Sequence, residues 1–195
     1  MALLAIPFDV ASPFFEERHI STRTAAELAL YFAKGKADSV AGLNAEAIVI
    51  GSDTLIELDG EVLGKPADLL EARAMLGRMA GREHLVHTAV ALSCLNRSIE
   101  STNLSTAHVW MRPFNETALD EYLETGDSLG KAGAYSIQGP GGALIERIDG
   151  DFTAVVGLPL QLTASMLEQV GVQIPVDLSS LYAAKPYGNW ARFIA

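Results

Sequence analysis

Cysteine is nearly absent: Cys94 is the only one in 195 residues. No disulfide can form within the chain, and a reducing, cytoplasmic setting is the simplest expectation. Long apolar runs are missing too, since no segment approaches the roughly 18 residues that a membrane span needs. The first ten residues, "MALLAIPFDV", have neither a basic region nor a cleavage-like sequence, which makes a poor signal peptide. Basic residues are scarce, with 14 Lys and Arg against 24 Asp and Glu and a net charge of -10. That balance argues against a nonspecific nucleic-acid binder. It still allows a small anionic ligand, because a few cations focused in a cleft override the overall sign. Repeats, low-complexity tracts and linkers are also lacking. What remains, 49% hydrophobic and 19% charged residues, is the make-up of a globular enzyme of one domain.

Residues 4–10 read as a short strand. A helix is expected from about Thr24 to Ala41, because Thr24 and Glu27 have capping-box spacing and Leu28, Tyr31 and Phe32 form an apolar stripe. "AIVIG" has the unbroken pattern of a strand covered on both faces, ending at Ser52-Asp53-Thr54. A hairpin follows, with Asp59-Gly60 as its turn. "ADLLEARAMLGRMAG" is a helix between an Asp68 cap and a Gly81 stop. Two long β segments flank Asn96-Arg97-Ser98, and a further helix runs from an Asn115 cap to Gly126. "GKAGAYSIQGPGG" is too glycine-rich for either element, "ALIERI" is a strand, and "LPLQLTASMLEQVG" is a helix with Pro159 near its first turn. The tail has no clear periodicity; it either docks through Tyr182, Trp190 and Phe193 or stays loose. The expected class is α/β, bordering on α+β, with a strongly curved mixed sheet.

Two glycine loops carry lysines, "GEVLGKP" and "GDSLGKAG". Neither is a P-loop, which needs four residues between its glycines and a hydroxyl after the lysine. Both can present a lysine to phosphate, or leave it as a solvated turn residue. An acid just past a buried strand, as Asp53 is expected to be, lies where ligands bind on open α/β sheets, although a cap or turn role fits that position equally. His19, His84, His87 and His108 lack metal-ligand spacing, and His84 and His87 fall on opposite faces of a strand. Cys94 reads as a core thiol.

Taken together, "PFDVASPFFEER", "AKGKADSV", "IVIGSDTLIELDGEVLGKP", "GREHLVHTAVAL", "KAGAYSIQGPGGALIERIDGD" and "VVGLPL" resemble the Maf family of nucleoside triphosphate pyrophosphatases. Each block alone means little; their order makes the match specific. The resemblance implies a Maf-like domain over residues 1–175, with 176–195 as a C-terminal tail. It implies hydrolysis between the α- and β-phosphates to a nucleoside monophosphate and pyrophosphate, with Mg²⁺ or Mn²⁺ as cofactor. Asp53 would activate water, directly or through the metal, and Glu17 would join it in holding metal or water. Lys36, Lys65 and Lys131 would face the phosphates and Gln138 the base. "KAGAYSIQG" and Thr54 resemble the branch acting on dTTP, UTP and modified pyrimidine triphosphates rather than the 7-methyl-GTP branch. A glutamine amide can pair with O4 and N3–H of a pyrimidine. A homodimer is compatible with the resemblance; nucleic-acid and membrane partners are not expected.

The chain departs from the family pattern at its start, where a strand, a Ser-Pro-Arg-Arg loop and a first helix are the rule. Ser12-Pro13-Phe14 has no arginines, and no Arg-Arg pair occurs anywhere. A truncated start or a compensating segment, such as the tail with Lys185 and Arg192, is the expectation. Without those arginines the alternative is a catalytically impaired, nucleotide-binding protein associated with septum formation, a process to which the family is linked.

Overall fold

The computed structural model describes residues 1–18 and 20–193; His19 and positions 194 and 195 lie outside them. Among the described residues five strands form one sheet: β1 (Val49–Leu58), β2 (Glu61–Leu63), β3 (Glu83–Cys94), β4 (Ile99–Met111) and β5 (Ile145–Asp149). Their order is β2-β1-β3-β4-β5. The α/β class holds, but every pairing is antiparallel where a mixed sheet was expected. β1 and β2 are joined by Asp59 and Gly60, both at positive φ (55° and 82°). That backbone suits the two-residue hairpin read from the Asp-Gly pair.

Helix α1 (Ala25–Ala41) starts where the capping box places it: Glu27 N–H donates to Thr24 Oγ1, and Thr24 N–H donates to Glu27 Oε2. Its buried face is mostly alanine, with Leu28 and Phe32 beside it. Ala29, Ala33 and Ala37 pack on Ala89 and Ala91 of β3, and such small side chains let a helix lie close on a sheet. The opposite face is covered by α4 (Phe152–Val156), α5 (Leu160–Gln169) and the large cluster that also takes in Leu76 and Met79 of α2 (Leu69–Met79) and Leu119 and Tyr122 of α3 (Glu116–Glu124). β3 is therefore buried on both faces, which accounts for its apolar run.

Residues 4–10 do not form the expected strand. A short 3-10 turn covers Ala2–Leu4, and Leu4 and Ile6 pack against Leu160 and Ala164 of α5. Pro7 has no N–H to give a ladder, and Phe8 and Val10 remain exposed. α4 was not foreseen, since five residues with three β-branched side chains carry no helical period. The tail forms α6 (Leu178–Ala184) and then docks: Trp190 stacks on Phe152 at 5.2 Å, with Phe193 beside it in the main cluster. Among the described residues no helix is long and apolar enough to cross a membrane.

His84 is buried inside this core, its Nε2 bonded to the Tyr135 hydroxyl at 2.8 Å while Nδ1 has no partner among the described residues. Burial pulls its pKa down to about 4. Because an unfolded histidine titrates near 6.5, the unfolded chain binds the extra proton first, so stability falls as pH drops from 6.5 towards 4. The full effect is about 3 kcal/mol. His84→Gln keeps a group that can bond to Tyr135 and removes the titration. Urea unfolding at pH 4.5 and 7 is expected to show a smaller acid-side loss in this variant, and an equal loss would remove His84 from the account.

Candidate active site

The ten-residue strand β1 carries Asp53 in its middle, opposite Ala89 of β3, not past its end as the sequence reading placed it. The ladder runs on through Thr54 to Glu57 because strand β3 is long enough to pair it. Alternation puts Gly51 and Asp53 on the face that α1 covers. Gly51 has a reason to be glycine: a Cβ there would stand 2.3 Å from the Ala33 carbonyl oxygen and 2.8 Å from the Ala37 amide nitrogen. α1 thus lies directly on β1, one residue pair away from the acid.

That close approach brings Lys36 to Asp53. Lys36 Nζ donates to Asp53 Oδ1 at 2.5 Å and pairs with Glu17 Oε1 at 2.6 Å. Phe15 helps hold the Glu17 segment, lying over Gly35 and against Tyr31 and Phe32 of α1. Gly35, a residue that by itself weakens a helix interior, is the seat for that ring. Asp53 is 7% exposed, and its Oδ2 has no hydrogen-bond partner among the described residues. Burial pushes its carboxyl above the usual carboxylate range; the Lys36 ammonium opposes this without cancelling it, and the Glu17 charge adds to it. For Lys36 burial is the largest single influence and acts downward, yet bonds to Asp53 and Glu17 together hold the ammonium above its ordinary value.

The two lysine-bearing loops meet. Gly133 N–H donates to the Gly64 carbonyl at 3.0 Å, so Lys65 and Lys131 flank one junction. Gly133 sits at φ 64° with Ile56 against it, leaving no room for a side chain. Glu17, Lys36, Asp53, Lys65 and Lys131 all line one cavity of about 440 Å³. Five of the six residues singled out from sequence therefore converge. Gln138 does not: it is exposed and is not among the lining residues. Its neighbour Ile137 is 2% exposed and turned into the core, which leaves Gln138 facing out. Lys185 and Arg192 of the tail do not line the cavity either.

The rest of the wall escaped the sequence reading. Ile56, Val86, Tyr135, Ile137, Val155 and Val156 make one side apolar, and Ser136 stands among them. Beneath them, Thr54 and Thr88 share a hydroxyl bond at 2.8 Å, Thr88 donates to Ala154 O, and Ser52 donates to Gly157 O, tying α4 to the sheet. The "VVGLPL" block was the available signal. Among the described residues no group of three or more His, Cys, Asp or Glu converges to hold a metal ion unaided.

Gly51→Val is expected to push α1 off the sheet, costing on the order of 3 kcal/mol, and to part Lys36 from Asp53. Thermal unfolding with an unchanged midpoint would contradict this packing.

A carboxylate mounted on a buried strand, clamped by a helix lysine and faced by two glycine-loop lysines across a half-apolar cleft, defines an α/β domain built around one polar site. The chain belongs to the Maf family, whose model, described as Maf-like protein, matches residues 1–170. It is 45% identical over 175 residues to a dTTP/UTP pyrophosphatase of Symbiobacterium thermophilum, covering 88% of this chain and 87% of that one. A dTTP/UTP pyrophosphatase of Thermus thermophilus is 43% identical over 164 residues, 84% of each chain. A third, from Bacillus velezensis, is 40% identical over 171 residues, 88% of this chain and 89% of its own.

Proposed function

We propose that this chain hydrolyses pyrimidine nucleoside triphosphates, dTTP and UTP with their modified forms, to the monophosphate and pyrophosphate. The observation that carries the reading is the convergence of Asp53, Glu17 and three lysines on one cavity with an apolar side. The names of the relatives supply the substrate class. A triphosphate carries about four negative charges, so its cleavage rests on electrostatic stabilisation of the oxygens and on holding water in line. Lys65 and Lys131, at the mouth, are suited to the phosphates. The apolar wall is suited to the nucleoside.

Lys36 holds Asp53 Oδ1 and leaves Oδ2 to accept a proton from the attacking water. Water adds to phosphorus, the bridging bond between the α- and β-phosphates breaks, and pyrophosphate leaves. The pushed-up carboxyl is a stronger base than an ordinary aspartate, which favours that role. The donor set also fits a divalent cation: Asp53 Oδ2 is an unpartnered buried carboxylate oxygen, Glu17 offers a second carboxylate, and both are hard oxygen donors. Mg²⁺ commonly takes one or two carboxylates and completes its shell with substrate phosphates and water. Bound there, Mg²⁺ or Mn²⁺ would supply charge neutralisation and a more acidic water.

The test is product analysis with dTTP, UTP, 5-methyl-UTP and 7-methyl-GTP, each with Mg²⁺ or Mn²⁺. Pyrophosphate and monophosphate from the pyrimidines are the expected outcome. Preference for 7-methyl-GTP, or orthophosphate with a diphosphate, would overturn the reading.

A further inference from the structure

The segment beyond residue 170 lies outside the family match, yet it reaches the wall of the cavity. Asn189 adopts φ 66°, the left-handed backbone that asparagine tolerates. From there its Nδ2 donates to the carbonyls of Ile137 and Gly139 at 2.9 and 3.1 Å. The amide enters a gap that exists because residue 142 is glycine: a Cβ on Gly142 would stand 2.4 Å from Asn189 Nδ2. Gly141 is equally constrained, its missing Cβ lying 2.8 Å from the Ser136 carbonyl. The 136–142 loop is thus folded tightly on itself with the tail amide as its wedge. On one side it carries Ser136 and Ile137 to the cavity; on the other it is held by Asn189.

The wedge is itself anchored. Trp190 is 3% exposed, stacks on Phe152 at 5.2 Å and meets the Tyr182 ring edge-on at 5.0 Å. The Tyr182 hydroxyl donates to the carboxylate of Asp151, the residue that caps α4, and α4 bears Val155 and Val156 of the same apolar wall. One tail segment therefore braces both the Ser136–Ile137 and the Val155–Val156 parts of the wall.

Resting on the pyrophosphatase reading, we propose that Asn189 is a positioning residue for nucleoside recognition. The tail acts as a strap that fixes the Ser136–Ile137 wall against the base and sugar, without touching the phosphate end. Deleting both amide bonds is expected to loosen that wall and weaken nucleoside binding by about tenfold, at roughly half to one and a half kcal/mol per neutral hydrogen bond.

Asn189→Gly is the informative variant, because glycine keeps the left-handed backbone and removes only the amide. It is expected to raise the KM for UTP about tenfold with kcat within about twofold. The inhibition constant of inorganic tripolyphosphate, which has no nucleoside, should stay within about twofold. Calorimetric titration of the chain with the non-hydrolysable α,β-imido analogue of UTP and with tripolyphosphate reads the same contrast without turnover. Failure of the unaltered chain to hydrolyse UTP would therefore sink the function and leave this test in force. An unchanged UTP affinity overturns the strap, as does parallel weakening of UTP and tripolyphosphate, which would mark a general loss of structure. Absence of UTP binding to the unaltered chain overturns it as well.

Discussion

Asp53→Asn is expected to lower kcat for UTP by about three orders of magnitude while the protein stays folded. The substitution is nearly isosteric and removes the charge that burial already disfavours, as the upward shift of this carboxyl indicates. Lys36 keeps Glu17 as a partner, so its ammonium is not stranded. In the proposed mechanism, what disappears is the Oδ2 lone pair as a base and as a hard oxygen donor, and general-base catalysis alone is worth about 10²–10⁴ in rate. Steady-state kinetics beside a thermal melt decides the matter. A variant with wild-type turnover removes Asp53 from the chemistry, and one that unfolds shows that the carboxylate is structural.

Lys36→Met is expected to damage stability as well as rate. Lys36 is the bridge between two carboxylates, at 2.5 and 2.6 Å, and its side chain is only 21% exposed. Removing one partner of a buried pair commonly costs about 3–5 kcal/mol, because the remaining charge is left unpaired. Glu17 is 42% exposed and can turn to water, so the burden falls on Asp53. A double-mutant cycle separates the contributions. In an Asp53→Asn background the stability loss from Lys36→Met should shrink to less than half, since no buried charge remains to strand. Equal losses in both backgrounds, measured by urea unfolding, would show that the pair is not coupled.

The elements that were legible from sequence are those with strong local chemistry. The Thr24–Glu27 box, the Asp68 and Asn115 caps and the Asp59-Gly60 turn each depend on a few adjacent residues, and each appears where the pattern places it. The lysine loops were legible as residue types suited to phosphate, and Asp53 as an acid where ligands bind. Their meeting depends on long-range contacts, such as the Gly133–Gly64 bond and α1 lying on Gly51, that no local pattern encodes. Asp53 was misplaced to a strand end because a polar residue inside an apolar strand looks like a terminus; only Lys36, seventeen positions earlier on a helix, makes it tolerable there. Gln138 was drawn towards the base by its motif, whereas the burial of Ile137 turns it outward. The tail was legible only in part: docking through Tyr182, Trp190 and Phe193 was one of two readings, and all three pack on the main cluster, but the part played by Asn189 had no local signal. Trp190 and Asn189 act through Phe152 and the 137–139 carbonyls, so aperiodic residues do the docking.

The most direct measurement is a crystal structure with a non-hydrolysable α,β-imido analogue of dUTP and Mn²⁺, the metal located by its anomalous signal. Mn²⁺ is expected between Asp53 and Glu17, the phosphates against Lys36, Lys65 and Lys131, and the uracil against Ile137 and Val155. An analogue bound elsewhere, or phosphates lying away from all three lysines with Asp53 still locked to Lys36, would contradict the account.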